Sequence, residues 1–364
     1  MLDGNPGPGK KILVSGGGNC NFSNSSVSAA DYVSQNPHFC KSALAGFTPA
    51  DFLKLLAKHN IKWEEREHGQ YFAFNAKFIL DMLTVEAAAA GAEFLFNAKI
   101  YGVEKDGEFF NVRTAGKNFR ARAVIAATGG LSGVKLGASG LAYDVAKSFG
   151  LNVIDAYPAL TPFLWADAEL AKFGALSGVS CRAKIARGKI KITDDLLFTH
   201  YGLSGPAALQ MSLFSKGAEE LKINFLPSQD AAEIIGRGRK TDKTFIQIAQ
   251  EFLPASLAKT LLADFDFQAA NAKKEACEAV LNRLAAFVFT PRLNTSYLKA
   301  EITGGGVDTR ELSSSTMECR KLPGLYFAGE CVDVSGRLGG YNLHWAWASG
   351  TAAGKAAAKK IGKI

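Results

Sequence analysis

Glycine-rich loops that follow short apolar runs constrain the fold of this chain more than any other feature. Three runs with the composition of β-strands end in glycine, namely KKILVSGGG at 10–18, AVIAATGG at 123–130 and GLYFAGE at 324–330. Such runs are typical of strands that are buried on both faces, in a parallel sheet covered by helices. Glycine lets a backbone come close to a ligand or to another backbone. We therefore expect the three runs to share one sheet whose loops form a binding site.

The segments between the first two runs predict helices followed by a small sheet. Thr48, Pro49 and Asp51 mark the start of one helix, and Gly91 marks the end of another. Residues 92–122 alternate with period two around KDG and AGK turns. This alternation predicts a three-stranded meander that leads into the second glycine-ended strand.

The middle of the chain differs in pattern from its two ends. Residues 155–228 contain short alternating runs that predict an antiparallel β-barrel, and 229–300 has a helical pattern with a break at Pro254. The predicted fold class is therefore α/β. A Rossmann-like nucleotide-binding domain, formed by 1–154 and 301–364, carries the β-barrel insert and the helical insert.

Composition excludes several classes of protein. Of 364 residues, 48% are hydrophobic and 21% are charged, which is the balance of a globular protein rather than a disordered one. The sequence has neither an apolar run long enough for a spanning helix nor a secretory signal, so we expect a soluble, cytoplasmic protein with no membrane partner. Six cysteines without a CxxC pair indicate neither a disulfide framework nor a metal site. The net charge of +8 permits a polyanionic partner.

One motif that this fold class normally carries is missing. The turn that binds a dinucleotide has the form GxGxxG and lies between the first strand and the first helix, but the chain contains no such motif. Asp3 lies where the acid that binds a ribose hydroxyl belongs. An exposed aspartate in a flexible terminal segment is the simpler interpretation of that residue.

The last glycine-ended run brings a carboxylate to the sheet edge. Glu330 follows the strand directly, where the ribityl hydroxyls of a flavin could donate hydrogen bonds to it. A helix begins near Gly339, Gly340 and Tyr341, and its positive end would face the negative charge of a reduced flavin. Close packing of a helix on a sheet explains the same glycines equally well.

Two residues are candidates for proton transfer. Cys20 follows the loop Ser15, Gly16, Gly17 and Gly18, whose backbone can approach a flat ligand or an anion. Its thiol either fills space or donates a proton near a redox ring.

The second candidate is His200, which lies in a short loop and acts either in the structure or as a general acid. Basic residues at 182, 184, 187, 189 and 191 alternate with apolar ones, and GRGRK occupies 236–240. They form a solvated face or contact phosphates.

Six motifs together resemble one known family. They are KKILVSGGGNCNFSN, QNPHFCKSAL, AVIAATGGLS, LLFTHYGLSGPAAL, ITGGGVDT and GLYFAGECVDVSGRLGGYNLHWAWASG, and they follow one another over essentially the whole chain. In this order they resemble the bacterial YhiN/BaiN-like family of FAD-dependent oxidoreductases. The resemblance implies an FAD-binding domain interrupted by a β-barrel and a helical subdomain.

The resemblance also implies a set of FAD-binding residues. Asp3 matches the acid for the adenosine ribose, and Ile100 and Val103 lie in the strand expected to pass the adenine. Glu330 matches the acid for the ribityl chain. The remaining predicted cofactor contacts are Ser15, Gly16, Gly17 and Gly18 in the first loop, Thr128 and Gly129 near the pyrophosphate, and Gly329, Gly339, Gly340, Tyr341 and Asn342 around the flavin.

The chain departs from the family pattern in two places. Asn19 stands where the family usually has arginine, and the first strand with its GxGxxG helix is absent before residue 1. Either the start of the chain is misassigned or the chain is N-terminally truncated relative to the family, and we expect these 364 residues to retain FAD poorly.

The family resemblance implies hydride transfer from reduced flavin to an activated C=C bond. The favoured substrate is uridine in large-subunit ribosomal RNA, reduced to dihydrouridine, with NAD(P)H as a transient reductant. Relatives that reduce bile-acid-type enones suggest a small-molecule substrate instead. The open alternatives are an amine oxidase that acts on an aminoacetone-like substrate and releases hydrogen peroxide, and a noncatalytic remnant.

Overall fold

A computed structural model describes residues 1–215, 218–292 and 294–362 of the chain. It divides into two compact units. Unit 1 comprises Met1–Pro158 and Tyr297–Ile364, and unit 2 comprises Ala159–Ser296. The two segments that we expected as inserts, 155–228 and 229–300, therefore lie almost entirely in one unit.

Helices and strands alternate in unit 1, whereas strands precede most helices in unit 2. The helices, in chain order, are α1 Lys10–Val14, α2 Lys41–Gly46, α3 Pro49–Lys58, α4 Ala76–Ala89, α5 Leu141–Ser148, α6 Asp167–Phe173, α7 Gly205–Ser212, α8 Ala231–Gly238, α9 Phe245–Ala249, α10 Ala255–Leu261, α11 Lys274–Ala285 and α12 Tyr341–Lys360. The strands are β1 Asn21–Asn24, β2 Tyr32–Val33, β3 Trp63–Arg66, β4 Gln70–Ala73, β5 Ile100–Asp106, β6 Phe109–Thr114, β7 Phe119–Ala121, β8 Val124–Ala126, β9 Val153–Ala159, β10 Phe163–Leu164, β11 Ser180–Arg187, β12 Ile190–Thr199, β13 Gly202–Ser204, β14 Leu221–Asn224, β15 Phe287–Phe289, β16 Ile302–Val307, β17 Leu325–Phe327 and β18 Ser335–Gly336.

Two of the three glycine-ended runs form the predicted parallel pair. β8 and β17 run side by side, with Leu325 opposite Val124 and Phe327 opposite Ala126. Both strands therefore end at the same edge, and the glycine loops that follow them are neighbours. The α/β, Rossmann-like class is confirmed, and this edge is where such a fold binds its ligands.

The third run is not a strand, so that prediction is wrong. Residues 10–14 form the short helix α1, in which Leu13 and Val14 are 39% and 55% exposed. An apolar run becomes a strand only where a neighbouring strand accepts its hydrogen bonds. Here Gly9, with φ of +71°, begins a helical turn, and the Leu13 amide donates to its carbonyl instead.

The meander and the first helices match the sequence patterns with one shift. β5, β6 and β7 form an antiparallel sheet joined by the predicted turns, but its first strand begins only at Ile100, at the end of the alternating run 92–100. Thr48 and Asp51 form a capping box at the start of α3. Gly91 follows α4 with φ of +76°, as a helix stop requires.

Unit 2 is built on one antiparallel sheet. Its strands follow the order β10-β13-β12-β11-β14-β15, and a bridge between Leu164 and Arg292 joins the two ends of the sheet. Helices α7 to α11 pack on its inner face around a single apolar core that includes Ile185, Phe198 and Leu257. Among the described residues no helix has the length and hydropathy needed to cross a membrane.

Candidate functional site

The ends of β8 and β17 form the centre of the candidate site. Gly129 follows β8 with φ of +73°, and apart from its chain neighbours no atom of the described residues lies within 4 Å of the position its Cβ would occupy. The next glycine, Gly130, is crowded, because a Cβ there would lie 2.4 Å from Thr303 Oγ1 and 2.8 Å from Glu330 Oε1. The sequence needs glycine at 130 for close packing and at 129 for an open backbone.

The Glu330 cluster consists of Glu330, Lys11, Ser132 and Thr303. Glu330 Oε1 accepts hydrogen bonds from Ser132 Oγ at 2.7 Å and from the Thr303 amide at 2.9 Å. Oε2 forms an ion pair with Lys11, which also donates to Ser132 Oγ. A carboxylate offers about four acceptor positions, so these described residues leave one for a ligand hydroxyl. The Glu330 side chain is 18% exposed.

An unpartnered hydroxyl lies beside this cluster. Tyr143, in the first turn of α5, is 5% exposed, and its Oη has no hydrogen-bond partner among the described residues. Burial, followed by the nearby Cys331 thiol and Glu330 carboxylate, raises the pKa of Tyr143 above its usual value. The phenol therefore keeps its proton and can donate it to a ligand. Thr128 Oγ1 accepts from the Ala142 amide at 3.3 Å and positions the start of the same helix.

The Ser15–Gly18 loop has a partly exposed backbone in left-handed conformations. Gly16 and Gly17 have φ of +57° and +67°, and apart from the chain neighbours no described residue lies within 4 Å of a Cβ at Gly17. Ser15 Oγ donates to the Ile12 carbonyl at 2.7 Å and fixes the start of the loop. Only glycine adopts such a sequence of left-handed conformations without a large cost.

Cys20 lies at the end of this loop, but its thiol is not at the surface. The side chain is fully buried, in a cluster with Phe22 and Phe52. Burial raises the pKa of Cys20 to about 11, and a hydrogen bond with Ser15 partly offsets this effect. The thiol is therefore protonated at neutral pH, and a substrate cannot reach it unless the loop moves.

The start of α12 is fixed against β1. Gly340 has φ of +92°, and a Cβ there would lie 2.2 Å from the Ser23 carbonyl oxygen. Asn342 donates to the Gly336 carbonyl and accepts from the Gly336 amide, so it holds the preceding turn. Tyr341 accepts at its carbonyl from Tyr32 Oη at 2.9 Å. The first turn of this 20-residue helix contains no acidic residue, so no side chain of that turn neutralises the positive end of α12.

The His344 cluster, formed by His344, Ser23 and the Phe47 carbonyl, supports this start. His344 and Ser23 are both fully buried. The Phe47 carbonyl can only accept, so His344 Nε2 donates to it at 3.1 Å, and Nδ1 accepts from Ser23 Oγ at 2.9 Å. Burial lowers the pKa of His344 to about 4, partly offset by the hydrogen bond with Phe47. The imidazole is neutral and fully bonded.

Other predicted residues lie in separate places. Asp3 accepts from the Asn5 amide at 2.8 Å, and its backbone pairs with the chain at Leu95 and Ala98. Ile100 and Val103 lie on β5. Gly329 is buried, and its amide donates to Ser349 while its carbonyl accepts from Trp345. Gly339 is also buried, with φ of +116°.

His200 belongs to unit 2. It is exposed in the turn between β12 and β13, with its ring edge-on to Tyr201.

Sequence reasoning missed several members of the site. Lys11, Ser132, Thr303, Tyr143 and His344 were not predicted. All of these except Tyr143 lie inside the recognised motifs, so a search for polar residues within the motifs would have found them. Lys11 and Tyr143 are separated in sequence from Glu330, and only the folded chain brings them beside it.

Parallel strands that end in an open glycine and a carboxylate fit the ligand-binding edge of a Rossmann-type fold. The class of protein is an FAD-dependent oxidoreductase. The family model described as "HI0933-like protein Rossmann domain" matches residues 1–356, and the chain belongs to this family. The resemblance that the sequence motifs suggested is therefore confirmed.

Three curated relatives place the chain within this family. The "Ribosomal RNA dihydrouridine synthase" of Escherichia coli strain K12 is 41% identical over 96% of this chain and 89% of that protein. Its namesake from Haemophilus influenzae is 40% identical over 94% of this chain and 88% of that protein. The "3-dehydro-bile acid delta(4,6)-reductase" of Clostridium scindens is more distant, because it is 30% identical over 97% of this chain and 90% of that protein.

The expected truncation receives no support from these matches. The family model begins to match at residue 1, and the relatives are covered over 88% to 90% of their lengths. The expectation of poor FAD retention remains a prediction, and the flavin absorbance of the purified chain tests it.

Proposed function

We propose that this chain is an FAD-dependent enzyme that reduces uridine to dihydrouridine in large-subunit ribosomal RNA, with NAD(P)H as the reductant. The observation that carries the proposal is 41% identity with the Escherichia coli ribosomal RNA dihydrouridine synthase over 96% of this chain. The proposed substrate implies a cytoplasmic location.

The residues at the sheet edge fit FAD as the cofactor. Glu330 has one acceptor position left for a ribityl hydroxyl, and the buried Tyr143 hydroxyl lacks a partner among the described residues. Gly129 and Gly17 give open backbone for close approach. In this proposal Glu330 accepts a hydrogen bond from a ribityl hydroxyl of the cofactor, and the Tyr143 hydroxyl donates to a hydroxyl or phosphate oxygen. The start of α12 faces the flavin ring. Asp3, Ile100 and Val103 remain proposed contacts for the adenosine end.

When bound, reduced FAD supplies a hydride to one carbon of an activated C=C bond. The neighbouring carbon needs a proton, so the reaction adds one hydride and one proton, and NAD(P)H is oxidised to NAD(P)⁺. Cys20 and His200 are the proposed donors. His200 is exposed, whereas the Cys20 thiol is fully buried. Of the two, therefore, only the imidazole can meet a nucleobase without movement of the Ser15–Gly18 loop.

Mass spectrometry of ribosomal RNA tests the proposal. We expect RNA from a deletion strain to lack one dihydrouridine and the full chain, with FAD and NAD(P)H, to restore it in vitro. An unchanged dihydrouridine content in the deletion strain contradicts the proposal. Reduction of small enones without any effect on RNA would favour the activity named for the bile-acid relative.

Two variants separate the proposed proton donors. We expect His200→Gln to lower the rate of dihydrouridine formation by about 100-fold, the lower range for a general acid. Cys20→Ala should leave the rate within about threefold at saturating FAD. A large loss of rate in Cys20→Ala and a small loss in His200→Gln would instead assign Cys20 as the proton donor. Bound flavin, measured by absorbance, checks that both variants remain loaded.

A further inference from the structure

The outer face of the unit 2 sheet carries three lysines that are not paired with any described residue. Side chains of a strand alternate between faces, and Ile185 on β11 points into the core. The register then places Lys184 and Ala186 on the outer face, with Lys191 of β12 and Lys222 of β14 on either side of Ala186. Lys184, Lys191 and Lys222 together form the lysine face.

The lysine face is accessible and its charges are not neutralised. Lys191 and Lys222 are exposed and Lys184 is half-buried. None of the three ammonium groups forms an ion pair or hydrogen bond with any residue in 1–215, 218–292 or 294–362. The nearest acid in register, Asp195, lies 3.6 Å from Arg182 and is paired with it. Two further acids precede Lys222 in the chain, namely Glu219, which is paired with Arg187, and Glu220.

The spacing of the three lysines suits a linear polyanion. Lys191 and Lys222 are two strand spacings apart, about 10 Å, and Lys184 is two residues along β11 from the point between them, about 7 Å. The small side chain of Ala186 at that point leaves the surface open. Three cations around a flat, open centre can each meet a different phosphate of one strand.

We propose that the lysine face binds the phosphate backbone of the ribosomal RNA substrate. This inference rests on the proposed function, because that function supplies the RNA. Lysine ammonium groups contact phosphates without reading sequence, so this surface contributes affinity and orientation rather than choice of the uridine. The affinity that it supplies falls as salt rises, because binding releases counterions.

The test compares full-length variants of equal charge. Lys184→Gln, Lys191→Gln and Lys222→Gln are combined in one variant. The control combines Lys147→Gln, Lys259→Gln and Lys273→Gln, three exposed lysines away from the sheet face. Affinity for a large-subunit ribosomal RNA fragment is measured by fluorescence anisotropy over a series of salt concentrations. A Lys-to-Arg version of the lysine-face variant retains the charge.

The proposal predicts a specific loss. The lysine-face variant should bind the RNA about 10- to 100-fold more weakly at ~0.1 M salt. The slope of log affinity against log salt concentration should become shallower by about 2 to 3, because three phosphate contacts are lost. The control and the arginine version should retain the wild-type slope. Equal weakening by the control would mean that net charge alone matters, and this result would overturn the proposal.

The outcome is distinguishable from failure of the proposed function. If wild-type chain forms dihydrouridine but the lysine-face variant retains its affinity and slope, the surface assignment is wrong and the function stands. If the deletion strain retains all dihydrouridine, the function itself fails. Far-UV circular dichroism and bound flavin verify that every variant is folded.

Discussion

The Glu330 cluster and the His344 cluster lie in the same unit but differ in what their polar atoms have left to offer. Glu330 is partly exposed, pairs with a lysine and has an acceptor position to spare among the described residues. His344 is fully buried and neutral, and both ring nitrogens are bonded. One cluster has unused bonding capacity and the other has none.

This difference separates a ligand site from its support. A polar group that retains bonding capacity at a sheet edge can gain a ligand without breaking existing bonds, whereas a completed buried network can only lose bonds. We therefore expect changes in the Glu330 cluster to alter cofactor binding. Changes in the His344 cluster should alter the stability of the start of α12.

The largest expected effect follows from closing the space between α12 and β1. Gly340→Ala places a Cβ 2.2 Å from the Ser23 carbonyl oxygen at a φ of +92°. We expect the free energy of unfolding to fall by at least ~3 kcal/mol, because both the clash and the left-handed conformation oppose alanine. Chemical denaturation monitored by fluorescence measures the change.

Gly17→Ala is the matched control for this substitution. Gly17 has φ of +67°, but apart from its chain neighbours no described residue lies within 4 Å of its Cβ position, so only the conformational cost of about 1 kcal/mol remains. Similar losses for the two variants would mean that α12 and β1 separate easily, and the His344 cluster would then not fix the helix start.

The next effect is the pH dependence that His344 contributes. Burial lowers its folded pKa to about 4, below the usual 6.5. Between these values the unfolded chain binds more protons, so stability is complete above pH 6.5 and is lost as pH falls toward 4. We expect this contribution to reach about 3 kcal/mol. The His344→Gln variant can keep both hydrogen bonds but cannot be protonated, so it should lack this pH-dependent contribution to stability.

The measurement is the difference in unfolding free energy between wild type and variant from pH 7.5 to 4. Exposed His38 provides the control, because His38→Gln should retain the wild-type slope. Parallel curves for wild type and His344→Gln would show that the buried imidazole does not resist protonation.

The smallest effects come from two fully buried serines, one in each cluster. Ser23→Ala removes the donor to His344 Nδ1 and leaves a buried acceptor unpaired, which should cost about 1–2 kcal/mol of unfolding free energy.

Ser132→Ala removes one of the bonds that orient Glu330 and should weaken FAD binding about fivefold, the equivalent of about 1 kcal/mol. Fluorescence titration with FAD and chemical denaturation are applied to both. A change in FAD affinity for Ser23→Ala alone would reverse the assignment of the clusters.

The sequence predicted the sheet edge better than its surroundings. The runs that end at Gly129 and Gly329 are strands because each pairs with the other, and their glycines mark loops that a local pattern reveals. Residues 10–14 have the same composition but no partner strand, and they form a helix. Composition thus specifies a strand only when the fold supplies the neighbour.

In the candidate site, the sequence predicted Glu330 but not the residues that contact it. Glu330 was identified from its position after a strand, but the identity of its partners depends on contacts across 319 residues for Lys11 and 198 for Ser132. The burial of Cys20 was equally hidden, because the loop that carries it is exposed at Gly16 and Gly17. Contacts between residues so far apart in sequence, and the burial of a side chain, depend on tertiary packing, which sequence periodicity does not encode.

Binding of FAD to Glu330→Gln and to His344→Gln at pH 7.5 tests the distinction between the clusters most directly. The amide at 330 loses the charge that strengthens a hydrogen bond from a ligand hydroxyl, so we expect about 10- to 100-fold weaker binding. His344→Gln should bind within about twofold of wild type, as should Glu104→Gln, an exposed carboxylate control. Wild-type affinity for Glu330→Gln in a folded protein would contradict the account.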